Sequence, residues 1–434
     1  MIIKELIEKI EGEAELDFTF SDDPLNAEIE DVRISFAYFR GIENILVGKE
    51  ARDALVITPR VCGICNHAHL IAAVECIENG YRDAGVKFEL TSKAKNIREF
   101  TLSCELMQNH IMWFYSTILP YLEKASAEKS KDSHLLKASF FSSTITKALA
   151  IFAGQWPHSS YAIPGGVTCD PTYVDVMQAE NLLDKAIKFY ENEVISMPLE
   201  KYIESSVYTF SNDMNGDFAK AMRLIEKNNL SFKGKSHDRF IAFGSSSIFK
   251  TGKAIGTRVN SINNSYVEES TQRDTMAKAV SYRNKLYEVG PLSRAMIAKD
   301  AKVKRVHKRY KDSVLTRVYA RVHEVAVLLQ QNKKLLQNLK LDERSCVLGK
   351  ELMVKNFAGT SAVEAARGSL IHKTKVKNGI IEDYEIIVPT QWNLSHGNSE
   401  EKGVSVKAML GSKTTQEATF IFRTFDICSV CTTQ

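Results

Sequence analysis

At 434 residues, with 44% hydrophobic and 25% charged, the chain is globular and long enough for two or three domains or one large helix-rich body. A formal charge of +4 is small for this length and argues against a nucleic-acid partner. Eight cysteines are too few for a disulfide scaffold, residues 1–15 are too acidic and interrupted for a signal peptide, and no apolar run reaches membrane-span length.

The chain opens with a strand-like pattern up to about residue 46, where Ile10, Ala14 and Leu16 recur at even spacing, as do Val32, Ile34 and Phe36. A helix is expected over 66–84, with Leu70, Ala73, Val74 and Ile77 as its apolar stripe. Helical recurrence continues through 94–125 at Leu102, Leu106, His110, Phe114 and Leu119, and the polar stretch 126–138 reads as a loop or helix connection. Trp156-Pro157-His158 and Ile163-Pro164-Gly165-Gly166-Val167 read as a rigid turn and a closely packed loop, with His158 structural. A further helix starts after Asp170-Pro171-Thr172 and runs to about residue 194.

Residues 204–265 mix short strands and turns with one helix near 218–227, and their glycines lack the order of a phosphate loop. The basic run 302–309 has no aromatic platform and reads as a solvated face or partner contact. From 314 to 341 a long amphipathic helix is expected, with Val314, Val318, Val322, Val325 and Leu329 as its stripe and Arg317, Arg321 and Lys333 on polar positions. The expected architecture is mainly α, one unit over 1–434 with small peripheral β-sheets. Within it, 1–58 is β-rich, 59–200 a helical core, 201–300 mixed α/β, and 301–434 a helical segment with C-terminal loops.

Two segments at opposite ends carry paired thiols: Cys62 and Cys65 near the start, Cys428 and Cys431 near the end. Four such sulfurs suit structural zinc, an iron–sulfur cluster or another soft transition metal, and either pair alone also reads as a redox disulfide. Cys76, Cys104, Cys169 and Cys346 are isolated and read as buried thiols, which a reducing compartment suits. Backbone N–H groups at the start of the 66–84 helix favour thiolates, and His69 lies one helical turn beyond Cys65.

The surroundings of the thiols resemble the large subunit of nickel–iron hydrogenases. Arg60, Cys62, Gly63, Cys65 and His69 fit that family's RxCGxCxxxH signature, and Cys428 and Cys431 fit its DPCxxC signature with Ile427 in place of proline. Arg40-Gly41-Ile42-Glu43, Pro164-Gly165-Gly166, Glu364-Ala365-Ala366-Arg367-Gly368 and Val388-Pro389-Thr390-Gln391-Trp392-Asn393 follow in family order.

The resemblance implies a helix-rich large-subunit fold and a nickel–iron centre whose iron bears CO and two cyanides. Cys62 and Cys428 would be terminal on nickel, and Cys65 and Cys431 would bridge to iron. His69 would donate to a cysteine sulfur, Leu370 would pack beside the iron ligands, and Val388, Pro389 and Thr390 would complete the pocket. Arg367 would stand over the metals with Asp426 holding it, Cys428 would take a proton, and Glu11 would relay it outward. Mg²⁺ or another hard divalent cation would bind Glu43, the carbonyl of Ile386 and Gln434, which stands where the family has histidine.

The implied activity is reversible cleavage of H₂ to protons and electrons, passed to an iron–sulfur small subunit and any further redox subunits. A hydrogen sensor and a metal-free scaffold of an electron-transfer complex are the alternatives. Lys9, Glu13, Tyr121 and Ala366 depart from the family pattern at a relay arginine and histidine, a canopy aspartate and a proline. Ending at Gln434 is expected of a processed chain or one encoded without an extension. The expected location is cytoplasmic or membrane-associated through partners, with export on a small subunit's signal the alternative.

Overall fold

Even apolar spacing near the start produces an antiparallel sheet of Ile2–Lys9, Gly12–Phe20 and Ile29–Ser35, with Leu16, Phe18, Val32 and Ile34 turned into the core. The computed structural model describes residues 2–9, 12–23, 26–36, 39–128, 133–205, 215–244, 246–272, 275–349, 352, 354–426 and 428, with only the backbone described at 5–9 and 12–13. The helix-rich architecture and its small antiparallel sheets follow the sequence expectation.

Long helices form the central mass. Asn66–Asp83 follows the first thiol pair, and Ser92–Trp113 starts at Thr91, whose hydroxyl accepts from Ala94 N at 3.1 Å. The latter continues as a wide turn over Phe114–Ile118 and a last helical stretch, Leu119–Ala125. Pro120 is the second residue of that stretch, directly after the wide turn. Tyr121 stacks on Phe420 at 4.2 Å and donates to the Gln416 carbonyl at 2.8 Å, so it ties this stretch to the helix that precedes Cys428.

The helix His134–Ala153 was not expected: 126–138 read as a connection, yet the Ser133 hydroxyl accepts from Leu136 N and starts twenty helical residues. It is also long and apolar enough to cross a membrane by composition, contrary to the sequence reading, with 39% of the apolar window buried inside the protein. Its inner face packs on Ser92–Trp113 and on Tyr173–Phe189.

Val314–Gln337 corrects a second expectation. Its apolar stripe is buried, but so are Arg317 and Arg321; of the three polar positions named, Lys333 alone is exposed. Arg317 makes a two-pronged pair with Glu288, both N–H···O distances 2.9 Å. Tyr319, Ala320, Ala326 and Leu328 fill the faces between the stripe, so the helix is enclosed nearly all round.

A third correction concerns 301–434, which was expected to be a helix and loops. Phe357–Ala365, Gly368–Lys377 and Ile380–Ile387 form a three-stranded antiparallel sheet. The sheet lies directly on Asn66–Asp83, and two glycines permit the approach. A Cβ at Gly359 would sit 2.0 Å from the Cys76 carbonyl oxygen, and one at Gly80 would sit 2.2 Å from the Phe357 ring.

Strand and helix keep step. Gly80 meets Phe357, Cys76 meets Gly359, and the Ala72 carbonyl accepts from the Ser361 hydroxyl at 2.7 Å. Four helical residues rise about 6 Å and two strand residues about 6.8 Å, so contacts recur at matched intervals. The two-residue hairpin tip Ala366-Arg367 is thereby carried to the end of the helix that holds the first thiol pair.

Candidate metal centre

The first pair lies between Thr58–Val61 and the Asn66–Asp83 helix, with Cys62 2% and Cys65 6% exposed. Arg40 fastens the approach by donating to the carbonyls of Arg60 and Val61. Cys428 arrives from the other end after the helix Thr415–Arg423. Trp113 Nε1 donates to the Arg423 carbonyl at 3.0 Å, and Asp426 then takes a left-handed turn, φ 59°. Aspartate tolerates that conformation better than most residues, and it redirects the chain inward.

Cys62 Sγ and Cys428 Sγ end 3.6 Å apart, and the sulfurs of Cys62, Cys65 and Cys428 all lie within 4.8 Å of one another. Three buried, unoxidised thiols at this spacing fit a sulfur-ligated soft metal, nickel or iron among them. Cys76 and Cys104 behave differently: burial pushes their thiols far above the ordinary range, which suits inert core residues. The Cys169 thiol is raised to about 11, also by burial.

Beside the sulfurs lies a buried cluster of two guanidiniums and one carboxylate. Arg367 Nε is 3.1 Å from Asp426 Oδ2 and donates to the Asp426 carbonyl at 3.1 Å, while Arg321 Nη1 is 2.7 Å from the same Oδ2. Together these three side chains carry a net positive charge. Arg367 Nη1 also donates to Asn109 Oδ1 at 3.3 Å, and Asn109 Nδ2 donates to the Ile64 carbonyl at 2.7 Å. One asparagine thus links the guanidinium to the loop between Cys62 and Cys65.

Behind the hairpin tip, Arg294 makes a forked pair with Glu324 at 2.8 and 2.6 Å and a third ion pair with Glu364 at 3.0 Å. Its remaining capacity goes to the carbonyls of Ala365, at 2.7 Å, and Ala366, at 3.4 Å. Ala366, where the resembling family has proline, is therefore held by this guanidinium rather than by a ring. His110 Nε2 stands 2.7 Å from Glu324 Oε2. Burial lowers the His110 pKa to about 4, so the ring is neutral and donates. Burial opposes the charge of Glu324, but Arg294 and His110 outweigh it and hold its pKa at about 2.

His69 belongs to a second buried chain: its Nδ1 is 3.2 Å from His372 Nε2, and His372 Nδ1 is 2.9 Å from the Tyr384 hydroxyl. Burial keeps the phenol protonated and lowers the His69 pKa to about 4 against the attraction of Cys62, so both rings are neutral. A phenol donating to His372 Nδ1 leaves His372 Nε2 to donate to His69 Nδ1, and the His69 proton then sits on Nε2. The opposite order would leave a buried O–H undonated. His67 is a core histidine, bonded to Thr101 and Tyr161, each at 3.0 Å.

Leu370, Val388, Pro389 and Thr390 are all buried, Leu370 on the second strand of the sheet and the others where its third strand passes into the helix Pro389–Leu394. Glu43 lies apart from the sulfurs and points to Lys278, with Oε2 3.1 Å from its ammonium, while Oε1 accepts from Ile386 N at 2.7 Å. Burial works against the charge of Lys278, and Glu269 and Glu43 outweigh it and raise its pKa. An ammonium on the carboxylate does not fit a hard divalent cation there. Glu11, Ile427, Cys431 and Gln434 lie outside the described residues.

Sequence reasoning missed Asn109, Arg294, Arg321, Glu324, His372, Tyr384 and Lys278. A signal existed for some of them. Arg321 and Glu324 stand in a helix that carries apolar residues on every face, where charges must be paired, and Asn109 follows Glu105 by one helical turn on a buried helix. Lys278 had none, because its partner Glu43 is 235 residues away.

The profile of the family described as nickel-dependent hydrogenase matches residues 40–133 and 214–434, well over half of the chain. The periplasmic NiFeSe hydrogenase large subunit of Desulfomicrobium baculatum is 24% identical over 93% of this chain and 88% of its own length. The quinone-reactive Ni/Fe-hydrogenase large chain of Wolinella succinogenes is 22% identical over 99% and 95%. Among solved structures, the reduced Ni-Fe-Se hydrogenase of D. vulgaris Hildenborough superposes with a TM-score of 0.83 at 20% identity, covering both chains fully, which shows the shared fold. On the match of its sequence to the family profile, this chain belongs to the nickel-dependent hydrogenase family.

Proposed function

We propose that this chain is the catalytic subunit of a nickel–iron hydrogenase, cleaving H₂ reversibly into two protons and two electrons. The observation that supports this reading most is the meeting of Cys62 and Cys65 with Cys428, 366 residues away, in one buried cluster. When bound, a nickel–iron centre with iron-held CO and cyanide supplies the redox change and polarises hydrogen between metal and base.

The rest is the work of the chain's own residues. Cys62, Cys65, Cys428 and Cys431 would hold the metals as thiolates, and Cys428 Sγ would be the site that takes up a proton. Arg367 is too basic to be a neutral base, so its role is to present fixed donors and charge to the reacting side. Asp426 and Asn109 keep its fork in place. His69, with its proton on Nε2, is the donor to a cysteine sulfur, and the Tyr384–His372 pair sets that tautomer. Leu370, Val388, Pro389 and Thr390, all buried, would exclude water from the metals, and the Thr390 hydroxyl would be available to donate to a cyanide. Glu11 carries the proton from Cys428 outward. Electrons leave through iron–sulfur clusters of a small subunit, since the two CxxC pairs are spent on the active site.

The test is hydrogen-dependent reduction of a viologen dye by the purified complex. Steady turnover that disappears in Cys428→Ser is the expected result. A fully nickel-loaded wild type that neither reduces the dye nor exchanges H₂ with deuterated water would overturn the proposal.

A further inference from the structure

We propose that Lys278 supplies, as a built-in ammonium, the positive charge that a hard divalent cation would otherwise bring to Glu43, so that this chain holds no Mg²⁺ there. The inference goes beyond the hydrogenase reading, and metal content separates the two.

Both oxygens of Glu43 are engaged: Oε1 accepts from Ile386 N at 2.7 Å and Oε2 pairs with Lys278 Nζ at 3.1 Å. The ammonium also faces Glu269 Oε2 at 3.6 Å, and Gln391 Nε2 donates to the other oxygen of Glu269 at 3.4 Å. Rigid pieces deliver each partner. Glu43 is in the first turn of the helix Ile42–Leu46. Lys278 immediately precedes the strand Ala279–Tyr282, which pairs with Val267–Ser270 so that Val280 stands opposite Glu269. Lys278 and its two carboxylates are only 33% and 15% exposed, so the pair is a fixed feature rather than a loose surface contact.

A Mg²⁺ ion needs about six oxygens at about 2.1 Å. An ammonium has three donors and no acceptor, so it cannot join that shell, and its charge repels the ion. The sequence departs in the same sense, since Gln434 replaces the histidine that the resembling family offers as a second-metal ligand. Both changes remove reasons for a cation to bind. Lys278 is therefore a positioning residue: it holds Glu43 against the Ile386 N–H, one residue before the strand ends and the chain turns into Val388, Pro389 and Thr390.

The experiment is elemental analysis of the nickel-loaded complex, purified in Mg²⁺-containing buffer and then desalted. Magnesium, calcium and manganese should each be substoichiometric beside one nickel per large chain, and EDTA should leave dye reduction unchanged. Lys278→Ala should take up about one Mg²⁺ per chain. Its turnover should fall about tenfold in chelator and recover when Mg²⁺ is added. Lys278→Arg, which keeps the charge, should behave as wild type toward both.

One firmly held magnesium, calcium or manganese per wild-type chain would overturn the inference. So would a Lys278→Ala protein whose metal content and turnover ignore Mg²⁺. The wild-type analysis stands even if the alanine variant does not fold. Missing nickel would instead count against the hydrogenase reading.

Discussion

Arg367→Ala is expected to lower hydrogen turnover by about 10²–10³-fold, the usual effect of deleting one preorganised donor beside a reacting group. Nickel content should stay at the wild-type level, because no thiol is touched. The effect is large because the guanidinium is held on three sides, by the Asp426 carboxylate, its carbonyl and Asn109, before any substrate arrives. Lysine is no substitute: its ammonium lacks the planar fork and cannot serve Asp426 and Asn109 together. Arg367→Lys should therefore recover only a small part of the loss. Dye-reduction rates normalised to nickel are the check, and turnover within about threefold of wild type would remove Arg367 from the chemistry.

Arg294→Leu is expected to destabilise the folded chain by about 3–5 kcal/mol, since it strands two buried carboxylates at once. Glu324 and Glu364 have side chains 8% and 0% exposed, and Arg294 is the cation between them. At this chain length a loss of that size lowers the melting temperature by roughly 3–5 °C. Glu364 keeps Ser369 and the N–H groups of Phe243 and Gly244, so part of its charge remains solvated by the protein. Among the described residues, Glu324 keeps the neutral His110 as its hydrogen-bond partner. The double variant Arg294→Leu/Glu324→Gln should consequently recover more stability than a variant that also neutralises Glu364 adds to it. Scanning calorimetry on the three proteins checks the order. The hairpin tip loses its anchor too, so turnover should fall even where the variant stays folded.

Local chemistry explains which parts of this molecule could be read early. Two sulfurs separated by two residues advertise metal binding wherever they occur, and an apolar stripe advertises a helix. Asn378-Gly379, both at positive φ between two strands, is an equally local hairpin mark inside the region expected to be helix and loops. Ser133 was likewise a cap signal ahead of an unforeseen helix. The charged network was out of reach for a different reason. Arg321 meets Asp426, Arg294 meets Glu364 and Lys278 meets Glu43 only after the chain has folded, and spacing says nothing about such encounters. Periodicity places Arg317 and Arg321 on the polar positions of an amphipathic helix because it weighs polarity and not enclosure.

Infrared spectra taken with nickel analysis probe most directly whether the distant thiols share one mixed-metal site. One nickel per chain, with bands of carbon monoxide and cyanide on iron, is the outcome this account requires. Native protein carrying zinc on those sulfurs, and silent where the diatomic ligands absorb, would contradict it.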